Sequence, residues 1–198
     1  MCGICGVFYL DGTPTRREEI APMLEMLIHR GPDQGDVILD GQCALGNRRL
    51  AILDLSPEGA LPMRSVDGRL IIAYNGEIYN HPQIRRMLEA DGLRYRSGSD
   101  TESLLKLYKL HGADMVRVLR GMFAFALWDR EAHKLLLVRD RMGEKPLYYY
   151  SDGRVLVFAS EIKALLAHPA VPREPALDAH GLALYLAYGY IPAPETAF

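Results

Sequence analysis

The chain has 198 residues, 49% apolar and 24% charged, and its 23 basic and 25 acidic side chains leave a formal net charge of −2. This is the balance of a globular protein long enough to bury a core unaided, and it provides no positive field for nucleic acid. Three cysteines do not make a disulfide framework, and the longest uncharged stretch, 179–194, is too short and too broken by Gly and Pro to span a bilayer. With no basic leader ahead of an apolar run, a soluble cytoplasmic protein without membrane or nucleic-acid partners is expected.

Residues 2–9 (CGICGVFY) predict a strand that is apolar on both faces, as a strand sandwiched between layers would be. Ile20, Met23, Leu24 and Leu27 recur at helical spacing within 16–29, and the turn Arg30-Gly31-Pro32-Asp33 ends that helix. Short strands are expected at 36–40, 43–53 and 69–74. Asn80 with Gln83, and Ser99 with Glu102, have capping-box spacing, which starts helices near 82–91 and 101–111. Strands at 122–129, 134–139, 147–150 and 155–159 and a helix near 161–167 complete the pattern. Five of the 12 prolines lie between 169 and 194, where no regular core pattern develops. The chain is therefore divided into a domain, 1–168, and a linker with the start of a second domain, 169–198. Strands grouped apart from helices predict an α+β architecture of antiparallel sheets packed face to face.

Phosphate-loop, dinucleotide, zinc-protease and serine-hydrolase motifs are absent. Position 2 is more informative. Removal of Met1 would leave a thiol and a free α-amine on Cys2, one residue supplying both nucleophile and base. Cys2-x-x-Cys5 also has the spacing of redox and zinc sites. No second pair completes a zinc set, however, and both cysteines fall in a predicted strand, whereas a redox pair opens a helix. Cys5 and Cys43 read as small core hydrophobes. Read alone, Asn75-Gly76 is a hairpin signal, Asp100 after the Ser99 cap is a helix-dipole residue, and Arg49 is half of a surface pair with Arg48.

Eight stretches in order change these readings: MCGI (1–4), HRGPD (29–33), RLAILD (49–54), YNGEIYN (74–80), GSDTE (98–102), GMFAF (121–125), RDRMG with KPLY (139–148), and ASE with KAL (159–165). Together they resemble the N-terminal glutaminase domain of glutamine-dependent asparagine synthetases, members of the N-terminal-nucleophile (class II) glutamine amidotransferases. The resemblance implies a four-layer αββα sandwich with Cys2 at the open end of a central strand. It makes Cys2 the nucleophile toward the glutamine side-chain amide, and Asn75 and the Gly76 N–H the donors to the oxyanion. Arg49 is implied as the clamp on the substrate carboxylate, Asp100 and Glu77 as partners of its ammonium, and the backbone of Leu50, Ala51, Ile52 and Leu53 as pocket wall. Arg30 receives no role.

The domain itself is expected to need no cofactor and no metal. ATP and Mg are implied only for a C-terminal synthetase domain, whose S-G-G-x-D-S loop does not occur in these residues. That domain, joined beyond 198, is the expected partner besides L-glutamine, and a homodimer is compatible with the resemblance. A relative with another ammonia acceptor, or a free-standing glutaminase, is the alternative. Sugar-phosphate and purine-pathway amidotransferases match the wording less well.

Overall fold

The computed structural model describes all residues except Leu53, 174–176, 193–194 and Phe198. The apolar strand β1 (Gly3–Tyr9) is the middle of a five-stranded antiparallel sheet. It lies between β3 (Cys43–Arg49) and β9 (Val155–Ala159), with β2 (Gln34–Asp40) and β8 (Tyr148–Ser151) at the edges. A second antiparallel sheet has the order β4 (Met63–Arg64), β5 (Leu70–Ile78), β6 (Gly121–Asp129), β7 (Lys134–Arg139).

Three cores separate four layers. Ile4, Leu45, Ile71, Ala73, Ala124 and Phe158 fill the space between the sheets. Alternate residues on the other faces meet helices, since successive side chains of a strand point to opposite sides. Cys5, Val7 and Val157 pack on α1 (Arg17–Glu25) and α4 (Ile162–Leu166), while Ile72, Tyr74 and Phe125 pack on α2 (His81–Ala90) and α3 (Asp100–His111). The αββα sandwich of antiparallel sheets is therefore present, and β1 is buried on both faces because it has a layer on each.

Several local expectations fail for physical reasons. Strand β3 stops at Arg49 rather than at 53. Strand β5 continues to Ile78, so Asn75 and Gly76 are mid-strand, opposite Ala124 and Phe123 of β6, and form no hairpin turn. Nine residues of pairing with β6 outweigh the local turn preference. Asn80 caps nothing with its side chain; its Nδ2 donates to Val118 O (2.9 Å) and its Oδ1 accepts from Arg120 N (2.9 Å). Ser99 does cap α3, accepting from Thr101 N, but Glu102 accepts from the Arg96 and Ser97 amides instead of completing a box. Beyond 168, where no regular pattern was expected, α5 (Ala179–Tyr188) forms, capped by Asp178 and closed by Gly189 at φ 75°.

Asn47, fully buried on β3, joins the two sheets. Its Oδ1 accepts from Tyr74 N on β5 (2.7 Å), and its Nδ2 donates to Gly3 O (3.3 Å) and Arg48 O (3.1 Å). An amide removed from this layer leaves the buried Tyr74 N–H unpaired. Asn47→Ala should therefore lower unfolding free energy by about 1–3 kcal/mol in a urea titration; a loss under about 0.5 kcal/mol would show the bridge to be dispensable.

Candidate active site

Strand parity places the predicted site residues. Cys2 is in phase with Ile4, Arg49 with Leu45 and Asn47, and Asn75 with Ile71 and Ala73, so all three face the inter-sheet side. There, beyond the apolar filling, a cleft of about 140 Å³ opens. Its walls are Cys2, Arg49, Leu50 and Ile52, the run Tyr74–Glu77 of β5, and Ser99–Thr101 at the head of α3, with Met1, Leu61, Met122 and Lys145 completing them. Ala51 is not among them: its N–H is held by Asp33 Oδ2 at 2.9 Å. Leu53 lies outside the described residues.

Cys2 stands just ahead of β1, with Sγ 3.8 Å from Leu50 O. Burial raises its thiol pKa, while the Leu50 hydrogen bond, the chain's amino terminus and Arg49 pull it back. Its carbonyl accepts from Arg30 Nε (2.9 Å), and Arg30 in turn pairs with Glu161 (3.0 Å), which His29 also contacts (2.8 Å). Against partial burial, the hydrogen bonds from Arg30, His29 and Lys163 bring the Glu161 carboxyl down to about 2. Arg30, unassigned by sequence, thus holds the backbone of Cys2.

Arg49 is buried at the end of β3 and donates through Nη2 to Asp54 O. Asp54, at φ 54°, accepts from Gly98 N (2.6 Å) and Ser56 N (2.9 Å), which ties the loop after β3 to the approach of α3. Asp100, the first residue of α3, is 3% exposed. Its Oδ2 accepts from Tyr74 Oη (2.7 Å) and Ile78 N (2.9 Å). Burial raises its pKa, and those two donors with the nearby His81 oppose the rise. Glu77 is exposed at the cleft wall.

Asn75 is 1% exposed, and among the described residues its Nδ2 has no hydrogen-bond partner. Beside it, a Cβ on Gly76 would lie 2.4 Å from Met122 O and 2.7 Å from Phe123 Cα. Glycine is therefore required there by the close packing of β5 on β6, a reason independent of any ligand. The Gly76 N–H points the other way. Tyr74 N and Ile78 N bond away from β6, to Asn47 and Asp100. The two-residue alternation of a ladder puts the Gly76 N–H on that same open edge, between them.

The other two thiols are separate from this cleft. Cys2 and Cys5 are three residues apart on an extended segment, hence on opposite faces. Burial pushes Cys5 up to about 12 and raises Cys43 as well; all three cysteines are free. The redox spacing has no geometric counterpart. Among the described residues, no helix is long and apolar enough to cross a membrane.

The fold class is thus an αββα sandwich of antiparallel sheets in which a thiol, a buried amide, an arginine and an aspartate line one cleft. The glutamine amidotransferase domain family matches residues 1–198, and the chain belongs to it. It is 38% identical over 216 residues to a putative glutamine-hydrolysing asparagine synthetase 2 of Methanocaldococcus jannaschii, with all of this chain and 41% of that protein covered. Asparagine synthetase 1 (glutamine-hydrolysing) of Bacillus subtilis is 38% identical over 199 residues, covering 99% of this chain and 31% of that one. The chain thus spans well under half the length of these relatives. Among solved structures, the glutamine phosphoribosylpyrophosphate amidotransferase of B. subtilis superposes with a TM-score of 0.68 at 26% identity, over 83% of this chain and 43% of that one.

Thiol chemistry checks the site directly. A glutamine-like electrophile should label Cys2 alone in the native protein, with Cys5 and Cys43 reacting only after denaturation. Native labelling of Cys5 at a rate comparable to Cys2 would contradict this placement.

Proposed function

We propose that this domain hydrolyses the side-chain amide of L-glutamine to glutamate and ammonia through a thioester on Cys2. The observation that carries the reading is Asn75 Nδ2: a buried donor without a partner, in the wall of the cleft that holds the thiol. An amide left unpaired in a dry wall costs stability, and a developing negative charge on a substrate oxygen is a partner that would use it.

With Met1 removed, the Cys2 α-amine, whose ordinary pKa is about 8, can accept the thiol proton. The sulfur then bonds to the amide carbon while the C=O electron pair moves onto oxygen, met by Asn75 Nδ2 and the Gly76 N–H. Collapse breaks the C–N bond, and the proton held by the amine leaves with nitrogen as ammonia. Water, deprotonated by the same amine, then cleaves the thioester and restores the thiol. These steps use only groups of the chain, so the domain's chemistry calls for no cofactor and no metal.

Recognition of the two ends of glutamine follows from charge. Arg49 takes the α-carboxylate in a bidentate fork, Asp100 and the exposed Glu77 take the α-ammonium, and Leu50 and Ile52 supply wall. Ala51 and Leu53 keep only their family-implied place in that backbone.

The relatives' names support asparagine synthesis as the destination of the ammonia; formation from aspartate with ATP and Mg, in the cytoplasm, by a synthetase domain joined to this one follows from the family resemblance. The apolar side chains Leu182, Tyr185, Leu186 and Tyr188 exposed on α5 support a further domain packing there.

Incubation with glutamine and measurement of glutamate tests the reading. Cys2→Ala should abolish release, and intact mass of active protein should lack Met1; full activity in a sample that retains Met1 would sink the mechanism. Asn75→Ala should lower kcat by about 10²–10³ with a smaller change in KM. Asn75→Asp should be as damaging, because an acceptor replaces the donor; near-normal kcat in that variant would remove Asn75 from the chemistry.

A further inference from the structure

Tyr74 precedes the proposed oxyanion donors in β5, and its side chain has a different task from theirs. Parity turns it to the helix side of the second sheet, where it is 3% exposed. Its hydroxyl is 2.7 Å from Asp100 Oδ2, the oxygen that also accepts from Ile78 N at 2.9 Å. Two donors from one strand, four residues apart, converge on a single carboxylate oxygen. This sets the orientation of the Asp100 carboxylate against β5, in the wall of the cleft that both residues line. Tyr74 itself cannot drift, because Asn47 holds its N–H at 2.7 Å.

We propose that Tyr74 is a specificity-determining positioning residue, whose hydroxyl orients Asp100 to receive the α-ammonium of the substrate. The proposal rests on the reading of Asp100 as the ammonium's partner. The ligand class it selects is an α-amino acid amide, as distinct from a carboxamide of the same length without the amino group.

Electrostatics act in the same direction. Burial disfavours the Asp100 carboxylate, and the Tyr74 hydroxyl is the foremost of the interactions opposing that. Burial and the adjacent Asp100 hold the phenol well above its ordinary range, so Tyr74 remains a donor. The other charged or titratable groups around Asp100 are Glu77 on β5, His81 at the start of α2 and Cys2, with Arg49 and Lys145 in the cleft wall. Deleting the hydroxyl raises the Asp100 pKa further, so the carboxylate is lost at higher pH as pH falls.

The experiment compares kcat/KM for glutamine with that for 4-carbamoylbutanoate, which is glutamine without its amino group. Tyr74→Phe should reduce the wild-type preference for glutamine about tenfold, the size expected for a lost hydrogen bond to a charged group. The loss should fall mainly on KM, and KM for glutamine should start rising at higher pH than in the wild type. Asp100→Asn should reduce the preference at least as far. Should Tyr74→Phe fold poorly, 3-fluorotyrosine at position 74 keeps the ring and strengthens the donor; the low-pH rise in KM should then move to lower pH. A Phe variant with wild-type preference beside an Asn variant that has lost it overturns the role of Tyr74 and leaves that of Asp100 standing. Wild-type preference in both variants overturns the Asp100 assignment and this proposal with it.

Discussion

The arrangement of the site depends on one open strand edge. Strand β4 pairs with β5 only at Ile71 and Ile72, so the outward amides of Tyr74, Gly76 and Ile78 have no neighbouring strand. Buried backbone donors must be paired, and two of these are paired by side chains from different parts of the chain. Asn47, reaching across from the first sheet, takes Tyr74 N, and Asp100, at the head of α3, takes Ile78 N. The amide between them, on Gly76, faces the cleft. A sheet edge too short to be covered by its own neighbour thus becomes a row of donors, its outer members fixed and its central one, on Gly76, the donor proposed for the oxyanion. The same two capping side chains bring the first sheet and α3 against β5, so the donor row and the walls around it share a single set of hydrogen bonds.

The thiol is placed with comparable economy. Cys2 precedes the first residue of β1 in the ladder, Gly3 opposite Arg48, so pairing of the strand does not consume its amine. What holds it is its carbonyl, bonded to Arg30, whose charge is balanced by Glu161. Fixing Cys2 through its carbonyl leaves the two groups that the proposed mechanism uses, its thiol and its nitrogen, outside the scaffold. Asn47 contributes here too, since its Nδ2 reaches Gly3 O. One buried amide therefore spans the backbone next to Cys2 and the backbone next to Asn75.

Much of this was legible in the sequence, though unevenly. The two-faced apolarity of 2–9 announced a central strand, and most elements fall within a few residues of their expected limits. Cys2, Arg49, Asn75 and Asp100 do share one cleft. They were found through the ordered match of short stretches, because locally Asn75-Gly76 reads as a turn and Asp100 as a dipole residue. Long-range pairing overrides the first of these readings; in the second, the dipole position and the cleft position coincide at one residue. Asn47 and Tyr74 were missed because their partners lie 27 and 26 residues away. A signal for Asn47 existed in the alternation of 43–49, where a neutral polar residue occupies the buried phase shared by Cys43 and Leu45. Helix α5 escaped because its apolar residues surround it instead of forming a stripe.

In the proposed mechanism nucleophile and base share one residue, and Met1 shows why that requires a processed chain. Its side chain lines the cleft, and its Sδ accepts from Nζ of Lys145, a residue only 6% exposed. While Met1 remains, the Cys2 nitrogen is an amide, with no lone pair available for a proton, and the methionine occupies space beside the thiol. Its removal would act twice: it would convert that nitrogen into the proposed base, and it would clear the wall that Lys145 and Met122 share. The nitrogen so exposed belongs to a residue already fixed by Arg30 through its carbonyl. The proposed base is therefore held next to the thiol by three covalent bonds, without the separate side chain and orienting partner that a serine or cysteine triad must position.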